Sequence, residues 1–306
     1  MVGKALITGV TGQDGHYLTD LLKGKGYEVY GLVRRTSQSR SVPDCHIVHG
    51  DLTDPLGLLS AYAEICPDEV YNLGAMAHVG ESFKVPHTTI QVNTLGTLNI
   101  LECARRYGGK VYQASTSEMF GSSPPPQDET TIFHPRSPYG VSKLAAYWLA
   151  INYREAYGVH ASNGILFNHE SPKRGEDYVT RKICKAVARI KEGKQKTLTL
   201  GNLDAVRDWG HAEDFAEGMW RILQQPAGDY VLATGKTHTV RQLLDVAFKA
   251  VGIDDWTPYV KTDKEFYRPA EVENLCGNAN KAKAIGWKPK WEFEAMIRQM
   301  VECELS

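Results

Sequence analysis

Ala5-Leu-Ile-Thr8-Gly9-Val-Thr11-Gly12-Gln13-Asp14-Gly15-His16 decides the fold of this chain. A short apolar strand runs into glycines at every third position, and a helical pattern from His16 to Lys25 follows. Glycines at such a turn let the backbone approach an anion at the helix N-terminus, where unpaired N–H groups and the helix dipole favour negative charge. The glycine spacing alone is a weak signal. What comes after it makes it a strong one.

Strand patterns at Gly26–Val33, His46–His49, Asp68–Leu73, Lys110–Ser115 and Ala161–Phe167 alternate with helical periodicity, most clearly over Thr88–Tyr107 and Tyr139–Tyr157. This alternation predicts an α/β fold, a Rossmann-type doubly wound parallel sheet with helices on both faces. After Asn168 the texture changes. Glycines, prolines, basic residues and tryptophans interleave with short elements, as expected of a smaller α/β substrate-binding lobe over the strand ends. The expected division is 1–167 and about 205–233 for the dinucleotide-binding domain, with about 168–204 and 234–306 for the lobe.

The chain of 306 residues carries 35 basic and 36 acidic side chains, so no overall field draws it to nucleic acid or an anionic membrane. Its six cysteines (Cys45, Cys66, Cys103, Cys184, Cys276 and Cys303) show no C-x-x-C spacing, which reads as free thiols in a reducing cytoplasm and not as a metal or disulfide framework. No stretch approaches the roughly 18 apolar residues of a membrane span. A cytoplasmic, untargeted protein is expected.

The chemistry is concentrated in Ser137-Pro-Tyr139-Gly-Val-Ser-Lys143 and in the end of the fifth strand, Ala114-Ser-Thr116-Ser-Glu118. On a helix, positions four apart lie one above the other, so Lys143 can serve the same site as Tyr139. A tyrosine has a pKa of about 10, and a fixed cation with cofactor hydroxyls nearby favours its phenolate. Proton transfer is therefore assigned to Tyr139 and the electrostatic role to Lys143. Thr116 offers a hydroxyl to hold the oxygen being oxidised. Hydride transfer needs one proton relay, so Glu118 beside it suggests proton abstraction from carbon or protonation of a leaving hydroxyl; a loop-capping glutamate is the plainer alternative.

At the end of the second strand an NAD enzyme would place an acid for the ribose, but Arg34-Arg35 stands there. Two guanidiniums suit a 2′-phosphate, which favours NADP, against a merely solvated basic loop. Asp51-Leu52 falls where an adenine edge would lie, although Asp51 also fits a helix cap. Leu73 and Ala75 supply small or apolar contacts where the nicotinamide ribose would run, and His78 is equally a ligand contact or a structural histidine.

The glycine fingerprint, the strand-five hydroxyl and Tyr139-x-x-x-Lys143 together resemble the extended short-chain dehydrogenase/reductase family over essentially the whole chain. The runs Leu166-Phe-Asn168-His169-Glu-Ser-Pro-Lys-Arg174-Gly-Glu-Asp-Tyr-Val179-Thr-Arg-Lys182-Ile183 and Gly201-Asn-Leu-Asp-Ala-Val-Arg207-Asp-Trp-Gly-His211 are similar to GDP-mannose 4,6-dehydratases in particular. The resemblance implies a GDP-hexose oxidised at C4, dehydrated across C5 and C6, and given its hydride back at C6, with NADP recycled. It implies Thr116, Glu118, Tyr139 and Lys143 as the catalytic set. For the cofactor it implies Gly9, Thr11, Gly12, Gln13, Asp14, Gly15, Arg34, Arg35, Asp51, Leu52, Leu73, Ala75, Tyr139, Lys143, Leu166, His169 and Arg174. Ser82, Asn168, Val179, Lys182, Arg207, Arg268 and Glu271 are implied for the GDP-sugar.

Met76-Ala77 departs from a more polar pair usual in that family, which opens the local contacts to change. Only Thr36–Asp44 separates Arg35 from the third strand, a shortened arm that leaves a tetramer open while a homodimer through Thr88–Tyr107 and Tyr139–Tyr157 is expected. The alternatives are a dehydratase of another GDP-sugar such as GDP-manno-heptose, a GDP-4-keto-sugar reductase or epimerase, which has no need of Glu118, and a non-catalytic NADP-sensing module.

Overall fold

A computed structural model describes residues 3–35, 41–263, 265, 270, 272 and 274–305. Among them thirteen strands follow in chain order: β1 (Lys4–Thr8), β2 (Glu28–Val33), β3 (His46–His49), β4 (Glu69–Asn72), β5 (Lys110–Thr116), β6 (Ala161–Leu166), β7 (Asn168–Glu170), β8 (Leu198–Leu200), β9 (Val206–His211), β10 (Asp229–Leu232), β11 (Thr237–Thr239), β12 (Val260–Thr262) and β13 (Asn274–Leu275). Seven form one parallel sheet in the order β10-β6-β5-β4-β1-β2-β3. Chain order reverses between β1 and β4, with Thr8 registered to Leu32 on one side and Asn72 on the other. Such a reversal leaves a crevice at the strand ends, which is where ligands bind in sheets of this kind.

Helices Gln13–Gly24 and Ala212–Leu223 cover one face, packing Leu18, Leu22, Phe215 and Met219 onto Ile7, Tyr112 and Val231. Pro55–Ile65, Gly96–Tyr107 and Pro138–Tyr157 cover the other, around Leu6, Tyr62, Ile100 and Val111. Burial on both faces fits the apolar run of β1, while the edge strand β3 is largely exposed.

A second core lies beyond Asn168, where helices Val179–Lys191, Val240–Lys249 and Phe293–Leu305 pack on β8 and β9 through Ile183, Leu198, Trp209, Phe248 and Met296. The chain returns to the main sheet through Ala212–Leu223 and β10, while residues 206–211 belong to a separate sheet in which β9 pairs with β7, β11 and β13. No helix among the described residues is long and apolar enough to cross a membrane.

The predicted helix Thr88–Tyr107 differs in two respects. It runs from Pro86, and Gln91–Leu95 form a π-helical turn. That wider turn holds the buried Asn93, whose amide accepts from the Met76 N–H at 2.8 Å and donates to the Met76 carbonyl at 3.1 Å and to the Ser142 hydroxyl at 2.9 Å. One side chain thus pins the loop after β4 to the helix that carries Tyr139. Single-turn π-helical segments of this kind are frequent at functional sites, and periodicity alone does not show them.

Candidate active site

Two sequence devices set the chemistry in place. The helix bearing Tyr139 and Lys143 starts where Ser137 Oγ accepts the Gly140 N–H at 3.0 Å, with Pro138 in its first turn, and it ends at Gly158 in the left-handed conformation. β5 ends in Thr116, whose hydroxyl accepts the Glu118 N–H at 3.3 Å and caps a short 3-10 turn over Ser117–Met119. The helix and the strand end bring Thr116, Glu118, Tyr139 and Lys143 to one cleft of about 420 Å³, all four more than nine-tenths buried.

Lys143 Nζ donates to the Ala114 carbonyl at 2.8 Å. Burial pushes its pKa down to about 8, opposed by the charge of Asp14. Burial also holds the Tyr139 phenol above its ordinary value; the Thr116 hydroxyl and Arg174 pull it down, and Tyr178 and Glu118 push it up. Arg174 is a second cation near the phenol, alongside the Lys143 expected from sequence, whose ammonium is held by the Ala114 carbonyl.

Of the residues expected at the cofactor, Asp14, Leu73, Ala75, Leu166, His169 and Arg174 line this cleft. Gly9 and Gly15 act through packing: Gly9 has φ 69° and a Cβ on it would lie 2.7 Å from the Gly74 nitrogen, and one on Gly15 would lie 2.4 Å from the Val10 oxygen. The helix Gln13–Gly24 has Gly12 at its N-cap and so no side-chain cap, which leaves its first N–H groups for an anion beside the half-buried Thr11. Arg34 and Arg35 follow β2 directly and are exposed.

Other expected residues are engaged elsewhere. The Gln13 amide donates to the His169 carbonyl at 2.7 Å and accepts from Ser171 at 3.0 Å, tying the first helix to the start of the lobe. Asp51 accepts the Thr53 N–H and hydroxyl at 2.9 and 2.8 Å within a turn, and it is Asp54, not Asp51, that caps the helix Pro55–Ile65. Leu52 is a core side chain whose carbonyl accepts from Asn99 at 2.7 Å. Ser82 is buried outside the cleft; its hydroxyl accepts the Tyr139 N–H at 3.2 Å and donates to the Val79 carbonyl at 2.6 Å.

On the lobe side, Asn168, Val179, Lys182 and Arg207 line the cleft. Alternation along β9 turns Arg207 and Trp209 toward it, while the buried Asp208 between them accepts from Thr234, Gly235 and Gly277 and anchors the strand. Lys182 Nζ donates to the Thr199 carbonyl at 2.9 Å, and Asn168 Oδ1 is buried without a hydrogen-bond partner among the described residues. Arg268 and Glu271 lie outside the described residues.

Sequence reasoning gave no role to Tyr178, which lies under the Arg174 guanidinium at 3.5 Å and meets the His78 ring edge-on at 5.7 Å, joining the two walls of the cleft. Its only sequence signal is an aromatic just ahead of a helix.

A parallel sheet whose strand ends carry a glycine cradle, a hydroxyl, and a tyrosine and lysine one helical turn apart defines a dehydrogenase/reductase scaffold, here extended by a substrate lobe. Comparison with known proteins narrows it. The profile of the GDP-mannose 4,6 dehydratase family matches residues 6–300. GDP-mannose 4,6 dehydratase 1 of Arabidopsis thaliana is 52% identical, covering 98% of this chain and 89% of its own length. The human GDP-mannose 4,6 dehydratase is 45% identical, covering 98% and 91%. Among solved structures, UDP-glucose 4-epimerase of Thermus thermophilus in complex with NAD superposes with a TM-score of 0.88 at 29% identity, covering 98% of each chain. RMD from Pseudomonas aeruginosa complexed with NADPH gives 0.84 at 26% identity, covering 99% of each. The chain belongs to the GDP-mannose 4,6-dehydratase family.

Proposed function

We propose that this protein is a hydro-lyase that converts GDP-mannose to GDP-4-keto-6-deoxymannose with a recycled nicotinamide cofactor. The observation that carries the reading is Glu118, a buried carboxylate in the same cleft as Thr116 and Tyr139. A reductase needs the hydroxyl and the phenol but not the acid.

The glycine cradle, the uncapped first helix and the buried polar atoms aimed at the cleft suit a dinucleotide. When bound, it supplies the hydride acceptor for C4 and the donor for C6. The chain supplies everything else. Tyr139 takes the C4 hydroxyl proton while Thr116 holds that oxygen, and Lys143, with Arg174 nearby, favours the phenolate. A ketone at C4 acidifies C5, and Glu118 moves the C5 proton to the C6 hydroxyl, which leaves as water. The proton kept by Tyr139 then serves C5 when hydride reaches C6. Atoms balance with the loss of one water. Asn168, Val179, Lys182 and Arg207 would receive the GDP-sugar, with Arg268 and Glu271 assigned to it from sequence. Incubation with GDP-mannose and NADP+ should yield a product one water lighter with no net NADPH; absence of that product refutes the assignment. Parallel turnover of a GDP-manno-heptose separates the two substrates.

Arg34 and Arg35, adjacent and exposed at the end of β2, support NADP over NAD. Arg34→Ala should weaken NADP+ binding at least about tenfold and leave NAD+ unchanged, since a guanidinium–phosphate contact is charge-assisted. A homodimer is supported by exposed Ile90, Leu95, Val141 and Trp148 on the adjoining helices. Light scattering that finds a monomer would exclude it. Charge balance and scattered thiols support a cytoplasmic setting.

A further inference from the structure

Arg174 enters the cleft from Ser171–Tyr178, a segment with neither helix nor strand. Its own backbone fixes the segment in only a few places: the Arg174 N–H donates to the Ser171 carbonyl at 3.0 Å and the Tyr178 N–H to the Gly175 carbonyl at 3.2 Å. The guanidinium nonetheless has one definite seat, with its Nε 3.1 Å from the Glu170 carboxylate and its plane over the Tyr178 ring. A long side chain on an irregular segment keeps such a seat only if the backbone beneath it is held from outside.

Arg181, in the first turn of the helix Val179–Lys191, holds it. Its Nη1 donates to the Pro172 carbonyl and, at 3.2 Å, to the Arg174 carbonyl, so one guanidinium ties down the backbone on both sides of Lys173. Arg181 Nε forms an ion pair with Glu304 Oε1 of the helix Phe293–Leu305. The two side chains are only 19% and 12% exposed, so each charge depends on the other more than on water. Removing one partner of a buried pair leaves the second uncompensated and free to seek another place. Neither residue lines the cleft. The contacts therefore run from Glu304 to Arg181, to the Pro172 and Arg174 carbonyls, and through the Arg174 side chain to the cleft that holds Tyr139 and Glu118.

We propose that Arg181 and Glu304 are positioning residues for the reaction: Arg181 fixes the backbone that aims Arg174 into the cleft, and Glu304 fixes Arg181. The inference rests on the dehydratase reading above, and it gives a helix on the far side of the substrate lobe a part in the rate.

The test uses the full chain with NADP+ and GDP-mannose. Glu304→Gln keeps the size of the side chain and removes its charge. It should slow C4 oxidation, read in stopped flow as reduced nicotinamide, about tenfold and leave the KM for GDP-mannose within about threefold. Arg181→Lys should lose at least as much, because one ammonium cannot span two carbonyls and a carboxylate as a guanidinium does. Arg174→Ala should slow the same step, and adding Glu304→Gln to it should cost less than about twofold more, since the effect of Glu304 is exerted through Arg174. Hydrogen exchange gives a reading independent of turnover: the Lys173 and Arg174 amides should exchange about tenfold faster in Glu304→Gln, with those of β5 unchanged.

A native oxidation rate in Glu304→Gln, even with a lowered melting temperature, would make the pair structural only and overturns the proposal. So does a native rate in Arg174→Ala, a full tenfold loss on adding Glu304→Gln to it, or unchanged exchange at Lys173 and Arg174. If the native protein does not turn over GDP-mannose, the dehydratase reading fails, and the exchange rates still decide whether Glu304 and Arg181 fix the segment.

Discussion

Thr116, Glu118, Tyr139 and Lys143 stand on one wall of the cleft, and Asn168, Val179, Lys182 and Arg207 on the other, and the two walls are held in different ways. The first is made of a central strand end and a 20-residue helix, with its side chains buried, its backbone pinned by Ser82 and Ser137 and its Ser142 hydroxyl held by Asn93. The second is made of short strands and a helix start, and Val179 is 38% exposed. Proton transfer requires donor and acceptor within hydrogen-bond reach, so the wall that performs it is over-determined. Recognition of a large, flexible nucleotide sugar tolerates a looser wall of charges. Small errors should therefore cost rate on the first wall and affinity on the second.

Substitutions can break that contrast. Tyr139→Phe removes the relay and should lower kcat about a thousandfold while dinucleotide affinity stays within about threefold; a large change in affinity instead would mean that the phenol mainly holds cofactor. Glu118→Gln should lower dehydration about a hundredfold yet still allow C4 oxidation, seen in stopped flow as a transient reduced nicotinamide. Complete loss of that transient would place Glu118 in the redox step. On the opposite wall, Arg207→Ala should raise the KM for GDP-mannose about tenfold, as expected for one charge-assisted contact, with kcat nearly unchanged. A fall in kcat of the same size would erase the distinction between the walls.

A smaller effect comes from pH. Lys143 has its pKa lowered to about 8, so it is an ammonium below that pH and loses its charge as pH rises through it. If the ammonium holds the nicotinamide ribose, dinucleotide affinity should fall by about a factor of three to five between pH 7 and 9, the cost of one weak charge-assisted contact. Lys143→Arg, which stays charged, should remove that decline even if its starting affinity is lower. A native profile flat over this range would show that Lys143 is not held through its charge.

Much of the first wall could be read from the chain, since β1 to β6 alternate with helical segments behind a glycine-punctuated first turn and Tyr139 and Lys143 are four residues apart on one helix. Local periodicity and spacing carry that information. The second wall was legible through motif strings, but the work done by each residue was not. Asp14 meets His169 across 155 positions and Gln13 meets Ser171 across 158, and pairings so distant leave no trace in local pattern. Ser82 and Gln13 were polar residues near motif positions, which sequence counts as ligand contacts and packing turned to holding backbone. Asn93 escaped notice for the opposite reason, because a helical period with one extra residue still looks helical.

The π-helical turn at Gln91–Leu95 gives its helix a reading frame. Each residue of an α-helix advances the face by about 100°. Removing one residue from the turn would therefore swing Ile100, Leu101 and Ala104, all buried in the core, toward other neighbours as far as Tyr107. The segment can absorb exchanges of side chain one at a time, but a deletion of a single codon is inherited by every position after it.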